Sequence, residues 1–463
     1  MYAILNPQFA LRSWTGRPCA VIQRDHVVPR RISMPDYLLL RQCDGSRDIP
    51  ETERLRKLIN DGICAPCGPG SALSEWQKPK SYDNQCVPSI YLMVTGRCNL
   101  NCMHCFNASD NNARADQFSL EALEKLTDEA AGCGVQSFWL TGGEPMLHPD
   151  FFTLVRRIRE KDMFVEVLVT NGMFLTDSAL DHLEEEGFRG RIMISFDGTG
   201  YHDTMRRHPG AEKIVLDVIR RVARRGIDLL INMNVNHGNS ARVSESLDLL
   251  DGLGVPAVRL IRTVGTPRWE MYGGSDAMSP REYYDFSLDC MKNYMSATHR
   301  MDVQFREFAS VYPGSREYGI HPVIFEDDVY RPEALSCGIA RRRIAITAGG
   351  EILPCMQAAG KMEEMHMSLG NYFRDGLKPH LTDSRYLDFV KIPVSSRHED
   401  NDECRACPWF RQCLGGCRLQ AKLYTGSFYG PDPTRCDFFK NGFRQKIIGL
   451  GDSLGWKRVL RGE

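Results

Sequence analysis

The sequence predicts an α/β protein in which a partial (β/α)6 barrel lies between a small N-terminal domain and a cysteine-rich C-terminal domain. The first observation is that six apolar runs of strand length alternate with helical patterns between residue 89 and about residue 300. Strands separated by amphipathic helices favour parallel pairing with right-handed crossovers. The second observation is the uneven placement of the 17 cysteines, three of which fall within 98–105 and seven after residue 336. A chain of 463 residues is long enough for two or three domains.

The composition excludes some classes of binding partner. A formal net charge of −1 gives no general attraction to nucleic acid or to an anionic membrane, so we expect neither as a partner. No apolar run approaches about 18 residues, and the start of the chain lacks the pattern of a signal peptide. We therefore expect a cytoplasmic protein. In that compartment thiols stay reduced, so the cysteines are predicted to bind metal rather than to form disulfides.

Residues 1–85 precede the first barrel strand and are predicted to form a separate small domain. Two strand-like runs, 19–23 and 27–32, come before a short helix that Pro35 opens. A second helix is predicted over 50–62, with apolar residues at i, i+3 and i+4 on one face.

Part of this domain resembles the winged-helix-like domain that recognises leader peptides in many peptide-modifying enzymes. The resemblance depends on the run Leu38–Gly45, which a helix and the pair Gly62-Ile63 follow. It implies that an extended leader peptide would add a strand to a small sheet. The alternative is a packing extension of the catalytic domain. Cys64 and Cys67 form a lone CxxC, which we interpret as domain-edge cysteines because no second pair completes a metal site.

The barrel is predicted from six strands, whose carboxyl ends are where such folds place functional residues. The strands are predicted over 90–94, 135–140, 164–169, 192–196, 229–235 and 257–261. On the fifth strand, Asn232 and Asn234 alternate with apolar residues, and the sequence leaves open which of them points into the barrel.

Three cysteines follow the first strand in one short loop, at Cys98, Cys102 and Cys105, with Phe106 directly after them. Thiolates at these spacings can ligate three irons of a 4Fe-4S cube and leave the fourth iron bare. The alternative is a structural zinc site, which three cysteines without a local fourth ligand fit poorly.

The turn Gly142-Gly143-Glu144-Pro145 follows the second strand. Its glycines allow close backbone approach, and the Glu144 carboxylate could accept hydrogen bonds from an ammonium group. Together with the cysteine loop, this turn resembles the signature of the radical S-adenosylmethionine (SAM) superfamily. The resemblance implies that SAM chelates the bare iron and that the turn holds the SAM amino group.

Further SAM contacts are implied by the same resemblance. Ser195 begins the sequence Ser195-Phe196-Asp197-Gly198 after the fourth strand, and either Arg206 or Arg207 would reach the SAM ribose or carboxylate. The complete set of expected SAM-binding residues is Phe106, Gly142, Gly143, Glu144, Pro145, Asn171, Ser195, Asp197, Arg206 and Arg207.

The last cysteines follow a different pattern: Cys337, Cys355, then Cys404-X2-Cys407-X5-Cys413-X3-Cys417, and Cys436. A zinc ribbon would show two CxxC pairs, whereas this region has one. The spacing resembles the seven-cysteine SPASM domain, which implies two auxiliary 4Fe-4S clusters. By this resemblance the distal cluster would be held by Cys404, Cys407, Cys413 and Cys436, and the one nearer the barrel by Cys337, Cys355 and Cys417.

The set nearer the barrel has only three cysteines, so its cluster would have an open iron or would take a remote ligand such as Cys290. An open iron can bind a soft thiolate from a substrate cysteine. This reasoning favours a cysteine-containing peptide as the substrate.

The predicted organisation is a winged-helix-like domain over 1–85, the radical SAM barrel over 86–300, a bridging region over 301–336, the SPASM domain over 337–440 and a helical tail over 441–463. The predicted function is a thioether crosslink, from Cys sulfur to carbon, in a ribosomally made precursor peptide by way of a 5′-deoxyadenosyl radical. The expected cofactors are SAM and three 4Fe-4S clusters, with an electron donor such as flavodoxin or ferredoxin. The alternatives are a carbon-carbon or carbon-oxygen crosslink, formylglycine formation in a sulfatase, and a non-catalytic electron carrier or peptide-binding scaffold. No catalytic base is assigned.

Overall fold

A computed structural model of the chain describes residues 1–106, 116–273, 275–321, 332–337, 342–359 and 361–460. Within these ranges, no helix has the length and apolar character needed to cross a membrane.

The N-terminal residues form two small sheets and two helices. A two-stranded sheet pairs β1 with β5 in antiparallel fashion, and a four-stranded sheet has the order β4-β3-β2-β6. The strands are β1 (Ala3–Leu5), β2 (Phe9–Thr15), β3 (Arg17–Gln23), β4 (Arg30–Arg31), β5 (Cys64–Pro66) and β6 (Lys80–Gln85). The helices are α1 (Met34–Leu40) and α2 (Glu53–Asn60).

Both predicted helices are present, but the second begins later than expected. Thr52 caps α2, because its side chain accepts a hydrogen bond from the backbone N–H of Leu55. The predicted strand over 27–32 shortens to the two residues of β4, both exposed at the edge of the sheet. The four-stranded sheet contacts the barrel through Trp14 of β2, whose indole N–H donates to the carbonyl oxygen of Cys133 at 3.0 Å.

The central sheet contains all six predicted barrel strands in parallel register. They are β7 (Ser89–Thr95), β8 (Ser137–Gly142), β9 (Phe164–Thr170), β10 (Arg191–Ser195), β11 (Leu229–Val235) and β12 (Ala257–Arg262). The crossover helices are α3 (Leu120–Gly132), α4 (Phe151–Glu160), α5 (Asp177–Glu185), α6 (His202–Arg206), α7 (Ala211–Arg224), α8 (Val243–Gly252), α9 (Pro267–Tyr272) and α10 (Pro280–Ser296). Short 3-10 helices occupy Pro145–Leu147, Ser240–Arg242, Pro313–Ser315 and Met356–Ala358.

The sheet continues beyond the six predicted strands on both sides. Next to β12 come β13 (Asp302–Phe305), which is parallel to it, and the antiparallel β14 (Ala309–Tyr312) and β15 (Glu317–Ile320). Next to β7 come β16 (Arg343–Ile346), which is parallel to it, and β17 (Ile352–Leu353). The region 301–336, expected only to bridge two domains, therefore contributes three strands. Strands of four residues are too short to show a clear alternating pattern.

One face of this sheet is covered by the helices, and the other face lines the interior of the barrel, which we call the lumen. Ile90, Leu92 and Val94 of β7 belong to the main hydrophobic core beneath the helices. The sheet is strongly curved, because Arg343 of β16 reaches Glu166 of β9 at 3.2 Å although β7 and β8 lie between these strands. The predicted partial barrel is confirmed.

Short helices dominate the C-terminal region. They are Lys361–Glu364, Tyr372–Asp375, Lys378–Thr382, Arg385–Val390, Val394–Glu399, Asp402–Arg405, Phe410–Cys413, Arg418–Thr425, Pro433–Lys440 and Phe443–Leu454. The last two pack on α10, where the ring of Tyr284 lies 5.5 Å from that of Phe438 and 5.2 Å from that of Phe443. After them, β18 (Lys457–Arg458) pairs with β15.

Candidate active site

The cysteine loop, residues 95–106, begins where β7 ends and places its three thiols close together. Burial raises the pKa of the Cys98 thiol to about 12, and the neighbouring Cys102 and Cys105 contribute to the increase. Three crowded, desolvated thiolates need positive charge beside them, which the irons of a cluster would supply. In the described part of the chain, no three His, Cys, Asp or Glu side chains converge as tightly as the ligands of a single metal ion. A cube of irons and sulfides would hold its cysteines further apart.

The Gly142-Gly143 pair holds the cysteine loop against the end of β8. The backbone N–H of Gly143 donates to the carbonyl oxygen of Thr95 at 2.7 Å, and that of Glu144 donates to Arg97 at 2.8 Å. A Cβ atom on Gly142 would overlap the carbonyl oxygen of Thr95, and one on Gly143 would overlap that of Arg97. Only glycine permits this approach, so the turn positions the cysteines as well as any ligand beside them.

Glu144 is fully buried and links the turn to the end of β9. Its carboxylate accepts hydrogen bonds from the Thr170 hydroxyl and from the Asn171 backbone N–H, both at 2.8 Å. Burial raises its pKa to about 7. The Asn171 side chain in turn donates to Asn99 of the cysteine loop at 2.7 Å. A buried carboxylate beside the cysteine loop fits a ligand ammonium group.

We expect the Glu144→Gln substitution to change the pH dependence of SAM binding. With a pKa of about 7, the Glu144 carboxylate ionises as the pH rises, so wild-type affinity should increase up to neutrality. It should fall again near pH ~8, where an α-amino group loses its proton. In the variant, SAM affinity should no longer rise between acidic and neutral pH. Near neutrality it should be about 10-fold lower than in the wild type.

Equilibrium dialysis of SAM against the cluster-loaded protein measures this profile. The matched control is Glu160→Gln, which changes an exposed carboxylate on α4. If SAM affinity still rises from acidic to neutral pH in Glu144→Gln, another group holds the ammonium.

Asp197 and Arg206 form a buried ion pair next to the cysteine loop. The Arg206 Nε lies 2.7 Å from the Asp197 carboxylate, and its Nη1 lies 3.6 Å from the Cys102 sulfur. Burial alone would raise the pKa of Asp197, but the Arg206 guanidinium holds it well below its usual range. Arg207 points elsewhere: its backbone has φ +53°, and its guanidinium lies 3.7 Å above the Tyr272 ring. Of the two arginines that the sequence left open, Arg206 is the one near the cysteines.

Two more of the expected SAM contacts are Ser195 and Phe106. Ser195 ends β10 beside Asn232 of β11. Asn232 and Asn234 both lie on the lumen face, because Ile231 and Met233, which alternate with them along β11, belong to the core under the helices. Phe106 is 41% exposed at the end of the loop.

The four distal thiols, at Cys404, Cys407, Cys413 and Cys436, lie together as expected. Burial raises the pKa of Cys404, and the nearby Cys436 and Cys407 raise it further. Burial likewise raises the pKa of Cys436 to about 11, with a contribution from Cys413. The fully buried Arg397 lies among them and donates to the carbonyl oxygens of Gly415 and Gly430.

The three proximal thiols, at Cys337, Cys355 and Cys417, form a second group. Burial raises the pKa of Cys355 to about 11, and Cys337 adds to it. Cys417 keeps an exposed surface, yet the surrounding protein atoms raise its pKa to about 12, with contributions from Asp432 and Cys355. Cys290 does not join them: it is buried in α10 against Ser244 of α8.

Two residues that support these thiol groups, Asp432 and Arg397, were not predicted from the sequence. Asp432 accepts a hydrogen bond from the backbone N–H of Cys417 at 2.8 Å and also caps the helix that carries Cys436. It thereby connects the two thiol groups. Arg397 is not part of the cysteine motif, and only the folded loop around Gly415 reveals its contacts. An aspartate before a proline is a helix-start signal, so Asp432 could have been found.

Comparison with known proteins supports this description. Residues 92–250 match the radical SAM superfamily, and residues 337–408 match an iron-sulfur cluster-binding domain, SPASM. The chain is 32% identical to an AdoMet-dependent heme synthase of Methanosarcina barkeri, over 73% of this chain and 93% of that protein. It is 26% identical to the PqqA peptide cyclase of Gluconobacter oxydans, over 74% of this chain and 89% of that protein.

Two solved structures share the fold. SuiB of Streptococcus suis bound to its precursor peptide SuiA has a TM-score of 0.66 at 13% identity, covering 94% of this chain and 99% of that one. The protein anSMEcpe with bound AdoMet and a Cp18Cys peptide has a TM-score of 0.58 at 18% identity, covering 79% of this chain and 99% of that one. The buried Glu144 carboxylate and the three grouped thiols fit SAM and an iron-sulfur cluster. The chain belongs to the radical SAM superfamily and is an enzyme with a C-terminal SPASM iron-sulfur domain.

Proposed function

We propose that this enzyme forms a thioether crosslink, from a cysteine sulfur to a carbon, in a ribosomally made precursor peptide. The observation that carries the proposal is the proximal thiol group, which has three cysteines and one of them, Cys417, exposed. An iron left without a fourth protein ligand there could bind the thiolate of a substrate cysteine. The PqqA peptide cyclase relatives support a peptide substrate.

The proposed cofactors follow from the ten grouped thiols. The cysteine loop would hold one 4Fe-4S cluster, and the distal and proximal thiols would hold one each. When bound and reduced by a donor such as flavodoxin or ferredoxin, SAM and the first cluster supply a hydrogen-abstracting radical. The chain positions the peptide, excludes water and holds the substrate thiol. Forming the thioether removes one hydrogen from carbon and one proton from sulfur, and the remaining electron would pass to an auxiliary cluster.

The N-terminal domain is proposed to bind the leader segment of the peptide. Val28, Met34 and Leu38 are 55%, 49% and 50% exposed, and they lie along α1 and just before β4. Beside them β4 leaves an edge of the four-stranded sheet open, with Arg30 and Arg31 exposed. An open edge beside exposed apolar side chains suits strand addition by an extended peptide.

We expect the double substitution Met34→Glu and Leu38→Glu to weaken leader binding by roughly 10-fold or more, because two apolar contacts become charged. SAM cleavage without peptide should stay within about twofold, since α1 packs in the core of the N-terminal domain. Fluorescence anisotropy of a labelled precursor peptide measures the affinity.

The matched control is Ile214→Glu, an exposed apolar residue on α7. Equal losses in the control and the double variant, or no loss in either, would remove the leader-binding proposal.

Mass spectrometry tests the function itself. The enzyme is incubated under reducing conditions with SAM and a cysteine-containing precursor peptide encoded by a gene next to its own. The peptide product should be lighter by two hydrogen atoms, and its cysteine should resist alkylation. The same mass loss with an alkylatable cysteine would indicate a carbon-carbon or carbon-oxygen crosslink. An aldehyde at the cysteine would indicate formylglycine chemistry, and absence of 5′-deoxyadenosine would indicate an electron carrier or scaffold.

The 32% sequence identity to an AdoMet-dependent heme synthase makes a step of heme synthesis the second candidate function, which incubation with porphyrin substrates tests.

A further inference from the structure

Arg397 is a fully buried arginine that has no carboxylate partner among the described residues. Its hydrogen bonds there all go to backbone carbonyl oxygens. Asp432 lies beside the same loop, but its two carboxylate oxygens accept hydrogen bonds from the backbone N–H groups of Cys417 and Thr434. Burying an unpaired cation is costly, so a fold that keeps one is expected to place an anion beside it.

The guanidinium of Arg397 lies against the loop between Cys413 and Cys417. Its Nη2 donates to the carbonyl oxygens of Gly415 and Gly430, the latter at 2.9 Å. A Cβ atom on Gly415 would lie 2.9 Å from the Nε of Arg397, which is closer than such atoms normally approach. Glycine at position 415 therefore lets the guanidinium lie directly against the loop.

The segments that carry the four distal thiols surround this side chain. Arg397 is on the helix Val394–Glu399, and Val394, one turn earlier on the same face, packs in one hydrophobic cluster with Cys404 and Cys407. The longer of its two Nη2 hydrogen bonds reaches the segment just before the helix that carries Cys436. The loop that it contacts follows the remaining distal thiol.

One N–H group of this side chain is left over. The Nε of Arg397 is buried, and within the described ranges it has no hydrogen-bond partner. The acceptors that an iron-sulfur cluster would bring to this place are its thiolate and sulfide sulfurs, and four thiolates give such a cluster a net negative charge. A free buried donor on an unbalanced cation, within a ring of four thiols, therefore fits a cluster held by those thiols.

We propose that Arg397 raises the reduction potential of the distal cluster, so that this cluster receives the electron released when the crosslink forms. The Nε–H group would donate to a cluster sulfur, and the guanidinium would remain protonated throughout. The crosslinked peptide radical loses one electron and the distal cluster gains it. The inference rests on the proposed function, because that function supplies the electron.

The direction of the effect follows from the charges. Reduction adds one negative charge to a cluster that is already negative, so a nearby cation stabilises the reduced form more than the oxidised form. Because Arg397 is buried, water screens this attraction little. Hydrogen bonds to the sulfurs shift the potential of a cluster in the same direction. Removing the guanidinium should therefore make the distal cluster harder to reduce.

A redox titration of the cluster-loaded full chain, followed by EPR, tests this assignment. Cys436→Ser identifies the distal signal, because it alters a ligand of that cluster only. Arg397→Met should lower the reduction potential of that signal by about 59 mV or more, which is a tenfold change in the equilibrium constant of a one-electron couple. Arg397→Lys keeps the charge and should recover much of the shift. The control Arg411→Met removes an exposed charge from the helix that carries Cys413 and should match the wild type.

Pulsed EPR of the wild-type protein grown with ¹⁵N-arginine tests the same contact even if Arg397→Met loses the distal cluster. A nitrogen coupling should appear on the distal signal and should be absent from Arg397→Lys. The assignment is overturned if the wild type shows no coupling, if Arg397→Met leaves the potential unchanged, if Arg411→Met shifts it equally, or if only the proximal signal shifts. Neither measurement needs a peptide, so an enzyme that shows both effects but crosslinks no peptide would refute the proposed function alone.

Discussion

Replacing Cys98, Cys102 and Cys105 together by Ala should abolish SAM cleavage, with 5′-deoxyadenosine formation lower by at least roughly 10³-fold, because the cluster carries the electron transfer. About two clusters' worth of iron should remain, since the distal and proximal thiols are separate groups. Iron analysis and chromatography of reductive incubations measure both quantities.

The control for this change is a second triple variant in which Cys19, Cys86 and Cys133, which belong to none of the three thiol groups, become Ala. It should keep both its iron and its SAM cleavage. Retained cleavage in the first variant would refute the assignment of the cysteine loop. Loss of all iron from it would show that the C-terminal thiols do not hold clusters independently.

Replacing Cys355 and Cys417 by Ala should separate SAM cleavage from product formation. The cysteine loop would still hold its own cluster, so cleavage without peptide should stay within a few-fold of wild type. Peptide crosslinking should fall on the order of 10²-fold or more, because the proximal cluster loses two of its three ligands. Parallel assays of 5′-deoxyadenosine and crosslinked peptide give the two rates.

Cys290→Ala is the matched control, since Cys290 packs against α8 instead of the proximal thiols. Crosslinking that falls as far in this control would restore Cys290 as a remote ligand. Crosslinking that persists in the Cys355 and Cys417 variant would show that the proximal cluster takes no part in the reaction.

Long apolar strands and local cysteine spacings were accessible from the sequence. The six barrel strands are five to seven residues long and buried on the helix side, so their pattern is strong. The antiparallel strands β14 and β15 were missed because runs of four residues are too short to show a clear pattern, and the two-residue β18 was missed because its partner β15 lies far earlier in the chain.

Contacts made across the barrel could not be predicted in the same way. Arg206 and Arg207 are adjacent in sequence, yet the Arg206 side chain lies beside Cys102 and that of Arg207 lies over the Tyr272 ring. The ion pair between Arg343 of β16 and Glu166 of β9 needs the curvature of the sheet. The distance of Cys290 from the proximal thiols likewise depends on which face α10 presents to α8.

The pairing of β16 with β7 has a consequence for how the chain folds during synthesis. The outer edge of β7 stays unpaired until residues 343–346 have been made, about 250 residues later. At about 5–20 residues per second, this delay is roughly 12 to 50 seconds. During that time an apolar strand directly before the cysteine loop is open to wrong pairing with other chains. Correct maturation therefore depends on the ribosome reaching β16, near the start of the iron-sulfur domain, before the nascent barrel aggregates.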